Sequence, residues 1–326
     1  MVKQLRGKTI LITGGAGFIG SHLAETLVSD NRVRILDNLS GGDVRYVPDA
    51  ATLVEGDIRG PMLSEAMADV DIVFHEAAIV DPQASVKEPF STNDVNCNGT
   101  LAVLDEARKR DARVVVASSA AIYGRPETVP IPESHSLKPL SPYGLQKLAI
   151  DRYATLYHDL YGLETVSLRY FNVYGSHRSA NKYSGVIREF LRRASQGDPL
   201  TVYGDGTQTR DFVHVDDVVA ANIRAATTEH VGEAYNVGTG ESVTVQELAE
   251  EIIRITDSSS SIEYGDDRPG DIKHSVADIT RTQNRLGLEP SIDLSTGIRR
   301  LVEKPKALTE GVSSLGTASR NSGESS

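Results

Sequence analysis

The sequence predicts an α/β fold, a doubly wound parallel sheet with a smaller α/β lobe beside it. Three observations support this fold class. Strand, glycine-rich turn, helix and second strand occur in that order in residues 9–37. Further apolar segments of strand length then alternate with amphipathic segments of helix length as far as residue 119. Finally, 326 residues are enough for one large domain with an appendage.

The first element is the stretch TILITGGAGFIG at 9–20, in which Thr9–Thr13 is apolar enough for a buried strand and a helix should begin near Gly17. Glycines allow a tight turn, close approach of the backbone to a pyrophosphate, and packing of the helix on its strand. The free N–H groups of the helix start attract an anion. The stretch therefore predicts a Rossmann dinucleotide site. Its cofactor contacts are expected at Gly14, Gly17, Phe18, Ile19 and Gly20.

The spacing is GxxGxxG rather than GxGxxG, so the motif has weight only together with the strand and the acidic residue after it. This second apolar strand, Arg32–Leu36, leads to Asp37, the carboxylate expected on an adenosine ribose. The carboxylate favours NAD over NADP, because it would repel a 2′-phosphate. Asn38 and Ser40 then form a polar loop that we assign to the cofactor site, with a solvated turn as the alternative.

A third strand, Ala51–Glu55, ends before Asp57 and Ile58, which we assign to the adenine. The alternative is that Asp57 caps a helix over Met62–Ala68. A fourth strand, Asp71–Glu76, ends in small residues that leave room for a cofactor or pack closely against a helix. These small residues are Ala77 and Ala78. His75 within the strand is interpreted as a packed histidine, because no second metal-binding residue stands at ligand spacing.

An amphipathic helix is predicted over Asn96–Arg110, followed by a buried strand over Asp111–Ser119. Ligands of a doubly wound sheet bind outside the carboxyl ends of its strands. Ser118 and Ser119 are therefore expected at the place where chemistry occurs.

The strongest catalytic pattern is SPYGLQK at 141–147. Serine followed by proline predicts a helix N-cap and first turn, which places Tyr143 near the helix start. Tyr143 and Lys147 are four residues apart and share one helix face. The ammonium and the helix N-terminus both stabilise tyrosinate and should lower the tyrosine pKa from about 10. Tyr143 is therefore predicted to be a general base, with an ordinary surface helix as the alternative.

Composition restricts the partners. The formal net charge of -11 argues against nucleic acid or an anionic membrane as the main partner. Cys97 is the single cysteine, so no disulfide can form within the chain. With no apolar run of about 18 residues and no signal peptide, we expect a cytoplasmic protein. The serine- and glycine-rich segment 304–326 is expected to be disordered.

The chain as far as about residue 303 resembles the extended short-chain dehydrogenase/reductase family, and within it the nucleotide-sugar epimerases typified by UDP-glucose 4-epimerase; nine stretches show the resemblance. The stretches are TGGAGFIGSHL at 13–23, LDNLS at 36–40, EGDIR at 55–59, HEAA at 75–78, SSAAIYG at 118–124, SPYGLQK at 141–147, LRYFNVYG at 168–175, RDFVHVDD at 210–217 and RPGD at 268–271. The resemblance implies that Tyr143 takes the proton of the sugar 4-hydroxyl while hydride passes to NAD. It also implies that Ser119 holds or relays that proton and that Lys147 holds the nicotinamide ribose.

The resemblance further implies a UDP-sugar site in the second half of the chain. A cofactor contact at Phe171 and a diphosphate contact at Asn172 follow the strand Glu164–Tyr170. The uridine base is expected along Thr201, Val202 and Tyr203, with two diphosphate arginines, Arg210 and Arg268. Ser275, seven residues after Arg268, flanks the sugar; its small size predicts acceptance of N-acetyl groups. Surface salt bridges and a packing tyrosine are the alternatives for these arginines and Tyr203.

The domains expected are an NAD-binding domain over 1–175 and a substrate lobe over 176–303, with 211–240 returning to the first domain. A strand Glu233–Val237 and a helix Thr244–Ile255 are predicted there. Apolar stripes on the helices Asn96–Arg110 and Gly144–Leu160 predict, through the resemblance, a homodimer.

The favoured function is 4-epimerisation of UDP-glucose, and of UDP-N-acetylglucosamine as well. Ala120 and Ala121 stand where dehydratases carry acid residues, which argues against dehydration and less strongly against uronic-acid decarboxylation. A UDP-glucuronate epimerase or decarboxylase remains the alternative. A protein that binds NAD without catalysis is also considered, although such relatives typically lose the Tyr/Lys pair that is present here.

Overall fold

The computed structural model describes residues 5–176, 185–267 and 270–303. The predicted tail 304–326 and the predicted arginine Arg268 lie outside these residues. Within the described ranges, seven parallel strands form the central sheet. They are β1 (Thr9–Thr13), β2 (Arg32–Asp37), β3 (Thr52–Glu55), β4 (Ile72–His75), β5 (Arg113–Ser119), β6 (Thr165–Tyr170) and β11 (Glu233–Val237). Their order in the sheet is β11-β6-β5-β4-β1-β2-β3. The strand order reverses between β1 and β4, which is the ligand-binding crevice of a doubly wound sheet.

Helices cover both faces of this sheet. One face packs α1 (Phe18–Leu27) and α8 (Val215–Ala225) on alternate strand residues such as Ile10, Phe74 and Leu168. The other face packs α2 (Met62–Ala66), α5 (Gly99–Arg108) and α6 (Pro142–Tyr161) on the intervening residues. Because both faces are buried, the central strands are continuously apolar, as is typical of parallel sheets.

The smaller lobe has an apolar core of its own, in which Phe190, Leu200, Leu248 and Ile298 are buried. Its helices are α7 (Val186–Gln196), α9 (Val245–Thr256) and α10 (Leu294–Glu303). Its strand pairs are β8 (Leu200–Tyr203) with β13 (Ile262–Gly265), and β9 (Thr209–Arg210) with both β12 (Val243–Thr244) and β14 (His274–Ser275). A further pair, β7 (Asn172–Tyr174) with β10 (Phe212–His214), follows directly from β6.

The predicted boundaries of two helices are wrong. The helix expected over Asn96–Arg110 is preceded by α3 (Pro82–Lys87) and α4 (Pro89–Asn93), and a π-helical turn, Asp94–Asn98, leads into α5. In this turn the Asn96 side chain bonds the main chain of Ile79 and the amide of Gln146. The spacing of apolar residues does not reveal such polar contacts with distant segments, so the helix boundary could not be predicted from it.

The alternative role of Asp57 as a helix cap is also wrong. The helix α2 begins after Pro61 with no side-chain cap and ends at Ala66, two residues earlier than expected. Asp57 instead accepts a hydrogen bond of 2.9 Å from the main-chain N–H of Arg59. It closes the turn that follows β3.

Candidate active site

The glycine loop lies against the end of β4. Gly14 has a φ of +69°, and a Cβ atom there would lie 2.7 Å from the main-chain nitrogen of Ala77. A Cβ atom at Gly20 would collide with the carbonyl oxygen of Gly14. Gly17 caps α1 without a side chain, so the first turn of the helix is open to an anion. The loop therefore has the flat, unobstructed backbone that a dinucleotide pyrophosphate requires.

Asp37 ends β2 beside this loop with its side chain buried. Its carboxylate accepts hydrogen bonds from the main-chain N–H groups of Ala16, at 3.0 Å, and Leu39, at 2.8 Å. These bonds fix the carboxylate at the strand end, where it suits a ribose hydroxyl. Asn38 donates 3.0 Å to Asp57, and its own oxygen accepts from the N–H of Ser40. Four residues that we assigned to the cofactor site, Asp37, Asn38, Ser40 and Asp57, thus lie close together.

Asp57 is held by a cation. Arg59 donates to both of its oxygens, and these bonds hold the pKa of Asp57 well below its usual range. The same guanidinium also pairs with Asp94. The side chain of Ile58 is buried against Gly99, so a ligand could contact mainly its main chain.

The predicted catalytic helix begins as expected. Ser141 caps α6 by accepting 3.1 Å from the N–H of Gly144, and Pro142 occupies the first turn. Tyr143 is buried, with 9% of its surface exposed, and its N–H donates 3.0 Å to the Ser85 hydroxyl. Lys147 lies one turn later with its Nζ 6.0 Å from the Tyr143 ring centre. The predicted pair therefore shares one helix face.

Lys147 joins this helix to the end of β5. Its Nζ donates 2.6 Å to the carbonyl of Ala117, two residues before the predicted catalytic Ser119. Burial lowers the pKa of Lys147 to about 8, while the charge of Glu76 acts in the opposite direction. Ser119 is the last residue of β5, and its hydroxyl accepts 3.2 Å from the N–H of Ala121. Tyr143, Lys147 and Ser119 are thus brought to one edge of the sheet.

His75 is enclosed between two threonines. Its Nδ1 lies 2.7 Å from the Thr13 hydroxyl and its Nε2 lies 2.8 Å from the Thr100 hydroxyl. Burial lowers the pKa of His75 to about 3, so the ring is neutral. This geometry agrees with our interpretation of His75 as a packed residue.

The next residue, Glu76, is a site group to which the sequence analysis gave no role. Its carboxyl accepts 2.7 Å from the Tyr170 hydroxyl at the end of β6. Burial raises the pKa of Glu76 to about 7. A glutamate at the carboxyl end of an otherwise apolar strand is the sequence signal that could have indicated it.

Phe171 and Asn172, directly after β6, connect the sheet to the smaller lobe. Phe171 is buried, and its N–H donates 2.9 Å to the Val237 carbonyl of β11. The N–H of Asn172 donates 3.0 Å to the carbonyl of Asp211, and the Asn172 side chain is half-buried. These two residues therefore lie where the sheet and the smaller lobe meet.

The predicted diphosphate arginine and the sugar-flanking serine are neighbours. Ser275 in β14 pairs in register with Arg210 in β9. The Arg210 guanidinium donates 2.6 Å to the Ile272 carbonyl and pairs with Asp271. Asp271 is the last residue of the RPGD stretch, so the end of that stretch lies at Arg210, although Arg268 itself is outside the described residues.

The residues that we assigned to the uracil base lie in β8. Tyr203 at its end is 37% exposed, so part of its ring can be reached by a ligand. Val202 is fully buried in the core of the smaller lobe, so only its main chain could contact a base. Thr201 is half-buried.

The sequence profile described as the NAD dependent epimerase/dehydratase family matches residues 10–238, which is more than half of the chain. The chain belongs to this family. The match includes the glycine loop, Asp37, Ser119, Tyr143 and Lys147, and family membership confirms NAD as the cofactor. The cradle at Gly14 and Gly20 and the fixed carboxylate at Asp37 fit that cofactor.

Three relatives show how close the similarity is. A protein of Methanocaldococcus jannaschii, described as a putative UDP-glucose 4-epimerase, is 41% identical over 298 residues, covering 90% of this chain and 97% of the relative. The structure of UDP-N-acetylglucosamine 4-epimerase from Methanobrevibacter ruminantium M1, in complex with UDP-N-acetylmuramic acid, matches with a TM-score of 0.88 at 36% identity. That match covers 91% of this chain and 98% of the other.

The third is the UDP-glucose 4-epimerase of Thermus thermophilus in complex with NAD, with a TM-score of 0.83 and 35% identity over 90% of this chain and 97% of the other. These similarities confirm the Rossmann fold and an enzyme of the epimerase family. No described helix is both long and apolar enough to cross a membrane.

Proposed function

We propose that this enzyme catalyses NAD-dependent 4-epimerisation of a UDP-hexose through a 4-keto intermediate. One observation carries the proposal. Tyr143 and Lys147 project from the first turns of α6, and Lys147 is bonded to the strand that ends at Ser119. A base, a cation and a hydroxyl at one strand end form a set that can oxidise an alcohol next to a nicotinamide.

The residues have distinct tasks in this mechanism. Tyr143 accepts the proton of the sugar 4-hydroxyl at its phenolic oxygen, and Ser119 holds or relays that proton. Lys147, charged below about pH 8, stabilises the tyrosinate and binds the nicotinamide ribose. When bound, NAD would supply both the acceptor and the donor of the C4 hydride. The cofactor is therefore regenerated in each turnover.

The remaining site residues hold the nucleotide. Arg210 and Arg268 are proposed for the diphosphate, since guanidinium groups match phosphate oxygens in pairs. Asn172 is proposed to contact the same diphosphate. The exposed ring of Tyr203, with Thr201 and the main chain of Val202, is proposed to bind uracil.

Ser275 supports a pocket that also accepts an N-acetyl group. It pairs in register with Arg210, so it lies next to the residue assigned to the diphosphate. Its side chain is small and half-buried, which leaves space where a larger residue would fill the pocket. We therefore propose that UDP-N-acetylglucosamine is a substrate as well as UDP-glucose.

Proton NMR of the purified protein tests both parts of the proposal. The protein is mixed with UDP-glucose, and separately with UDP-N-acetylglucosamine, without and then with added NAD. Anomeric signals of the galacto product are expected in both tubes. If neither tube changes even with NAD, the proposal is wrong, and UDP-glucuronate becomes the next substrate to test.

Exchange of Ser275 tests the specificity. Ser275→Tyr should lower the ratio of N-acetyl to plain-sugar turnover by roughly 5- to 150-fold, because overfilling a pocket costs roughly 1–3 kcal/mol. Ser275→Ala is the matched control, since it removes the hydroxyl but adds no bulk, and it should keep the ratio. An unchanged ratio in Ser275→Tyr would contradict the assignment.

We also propose a homodimer, with α6 in the interface. The exposed fractions of its apolar residues are 59% for Leu145, 46% for Leu156 and 67% for Leu160. Phe90 on the neighbouring α4 is 92% exposed. On α5, by contrast, Leu104 is part of the core, so its stripe is mostly intramolecular. An apolar patch of this kind is typical of a protein interface.

A further inference from the structure

Glu76 belongs to a chain of three polar side chains from three elements. Its carboxyl oxygen accepts 2.7 Å from the hydroxyl of Tyr170, the last residue of β6. The Tyr170 oxygen accepts 2.8 Å from Nδ2 of Asn222 in α8. Tyr170 and Asn222 are buried and Glu76 is half-buried. The chain lies beneath the carboxyl edge of the sheet, on the face covered by α1 and α8.

This position places Glu76 beside the groups assigned to the cofactor. Ala77 follows it directly, and Phe171 follows its partner Tyr170. The charge of Lys147, which reaches the sheet edge from α6 on the other face, acts on the Glu76 carboxyl. A charge on Glu76 therefore acts on Lys147, the residue proposed to bind the nicotinamide ribose.

The Glu76 carboxyl can be accommodated in either protonation state. With Glu76 ionised, Asn222 donates to Tyr170 and Tyr170 donates to the carboxylate. Within the described part of the protein, Oδ1 of Asn222 is buried and has no hydrogen-bond partner. Nδ2 of Asn222 also donates 2.9 Å to the Val218 carbonyl, which holds the amide in the orientation that donates to Tyr170. Because Glu76 is half-buried, its carboxyl when protonated can donate to solvent instead.

We propose that Glu76 tunes how strongly the bound nicotinamide accepts hydride, by gaining and losing its charge within the Glu76–Tyr170–Asn222 chain. The oxidised ring is a cation, and taking up hydride neutralises it. An ionised Glu76 therefore stabilises the oxidised form, and a neutral Glu76 does not. Reduction of the cofactor is then coupled to proton uptake at Glu76.

The groups around Glu76 set the pH at which this happens. Burial raises its pKa to about 7, and the hydrogen bond from Tyr170 and the charge of Lys147 each limit that rise. Asn222, which contacts Tyr170, carries no charge, and the preceding His75 is neutral because burial lowers its pKa to about 3. Glu76 therefore changes charge near neutral pH, and its effect on the cofactor grows as the pH rises through that range.

Redox titration of the holoenzyme without any sugar tests this proposal. Mediator dyes fix the potential, and absorbance near 340 nm gives the ratio of reduced to oxidised NAD between about pH 5.5 and 8.5. The half-reaction takes up two electrons and one proton, so at fixed potential this ratio falls tenfold per pH unit on its own account. The wild-type protein should show a further fall of about tenfold across the range in which Glu76 ionises.

Three variants make the result decisive. In Glu76→Gln the ratio should lose the additional fall near pH 7 and keep only the part that loss of the Lys147 charge causes near pH 8. The exposed control Glu229→Gln should keep the wild-type curve. Tyr170→Phe removes a donor to the carboxylate and should move the additional fall to higher pH. The Tyr170→Phe variant therefore still tests the proposal if Glu76→Gln does not fold. A wild-type curve without the additional fall, or a Tyr170→Phe curve identical to wild type, would overturn the proposal. Since no sugar is present, these outcomes are independent of which nucleotide sugar is the substrate.

Discussion

At the scale of single residues, Tyr143 is the group on which the proposed chemistry depends. Tyr143→Phe removes the phenolic oxygen and keeps the buried ring, so folding and NAD content should be retained. Turnover should fall by roughly 10²–10⁴, the usual contribution of a general base. Tyr161→Phe at the exposed end of the same helix is the control. Wild-type turnover in Tyr143→Phe would show that the catalytic assignment is wrong.

The burial of His75 should make the free energy of unfolding depend on pH. Burial lowers its folded-state pKa to about 3, below the unfolded value of about 6.5. As the pH falls from 6.5 towards 3, the unfolded chain binds the proton first. The stabilisation present above pH 6.5 is therefore lost at up to about 1.4 kcal/mol per pH unit.

Urea unfolding of wild type and His75→Gln between pH 4 and 7 measures this loss. Glutamine stays neutral, so its free energy of unfolding should fall less steeply with acid than that of wild type. The carboxyl groups contribute equally to both proteins and cancel in the difference. Parallel curves would mean that His75 is accessible to protons in the folded protein.

At the scale of elements, a buried ion pair fastens α6 to the sheet. Asp151 in α6 accepts from Arg169 in β6 through both oxygens, at 2.9 and 3.0 Å, with both side chains almost fully buried. Arg169 also donates 3.0 Å to the hydroxyl of Tyr123, just after the turn that follows Ser119. The pair therefore links the helix that carries Tyr143, the proposed general base, with the strand that ends at Ser119.

Removing one partner should be costly. Asp151→Asn leaves the Arg169 charge buried and only partly compensated, and a loss of roughly 3–5 kcal/mol is expected in urea unfolding. Asp159→Asn, an exposed aspartate on the same helix, should change stability little. A loss below about 1 kcal/mol in Asp151→Asn would show that the site relaxes or admits water around the arginine.

At the scale of the whole molecule, the candidate site lies between two cores. The sheet and its helices supply the cofactor residues, while β8, β9 and β14 of the smaller lobe supply Tyr203, Arg210 and Ser275. Each lobe packs its own apolar residues, so the polar ligand groups are left at the junction. Such a junction is a common place for ligand sites.

The proposed homodimer is tested at this scale by light scattering. Wild type should have twice the mass of the chain, and Leu160→Glu should give monomers, because it places a charge in the proposed apolar interface. Val44→Glu, also on an exposed apolar residue but away from α6, is the control. A monomeric wild type would remove the proposal.

Features whose information is local could be predicted from the amino-acid sequence alone. The glycine loop, the second strand with Asp37 at its carboxyl end, the strand Glu233–Val237 and the Ser-Pro start of α6 were predicted and are present, although β2 includes Asp37 itself. Each depends on neighbouring residues, through φ, strand period or capping. The same local motifs identified the family and its cofactor, both of which are confirmed.

Contacts between distant residues became visible only in the folded chain. Folding brings Glu76 to Tyr170, 94 positions away, and Arg169 to Asp151 across a helix and a strand. The fold also shows that Asp57 closes a turn held by Arg59, and that Ser275 lies beside Arg210. Pattern and spacing do not specify such pairs, because strand order and helix packing, rather than sequence neighbours, place these side chains together.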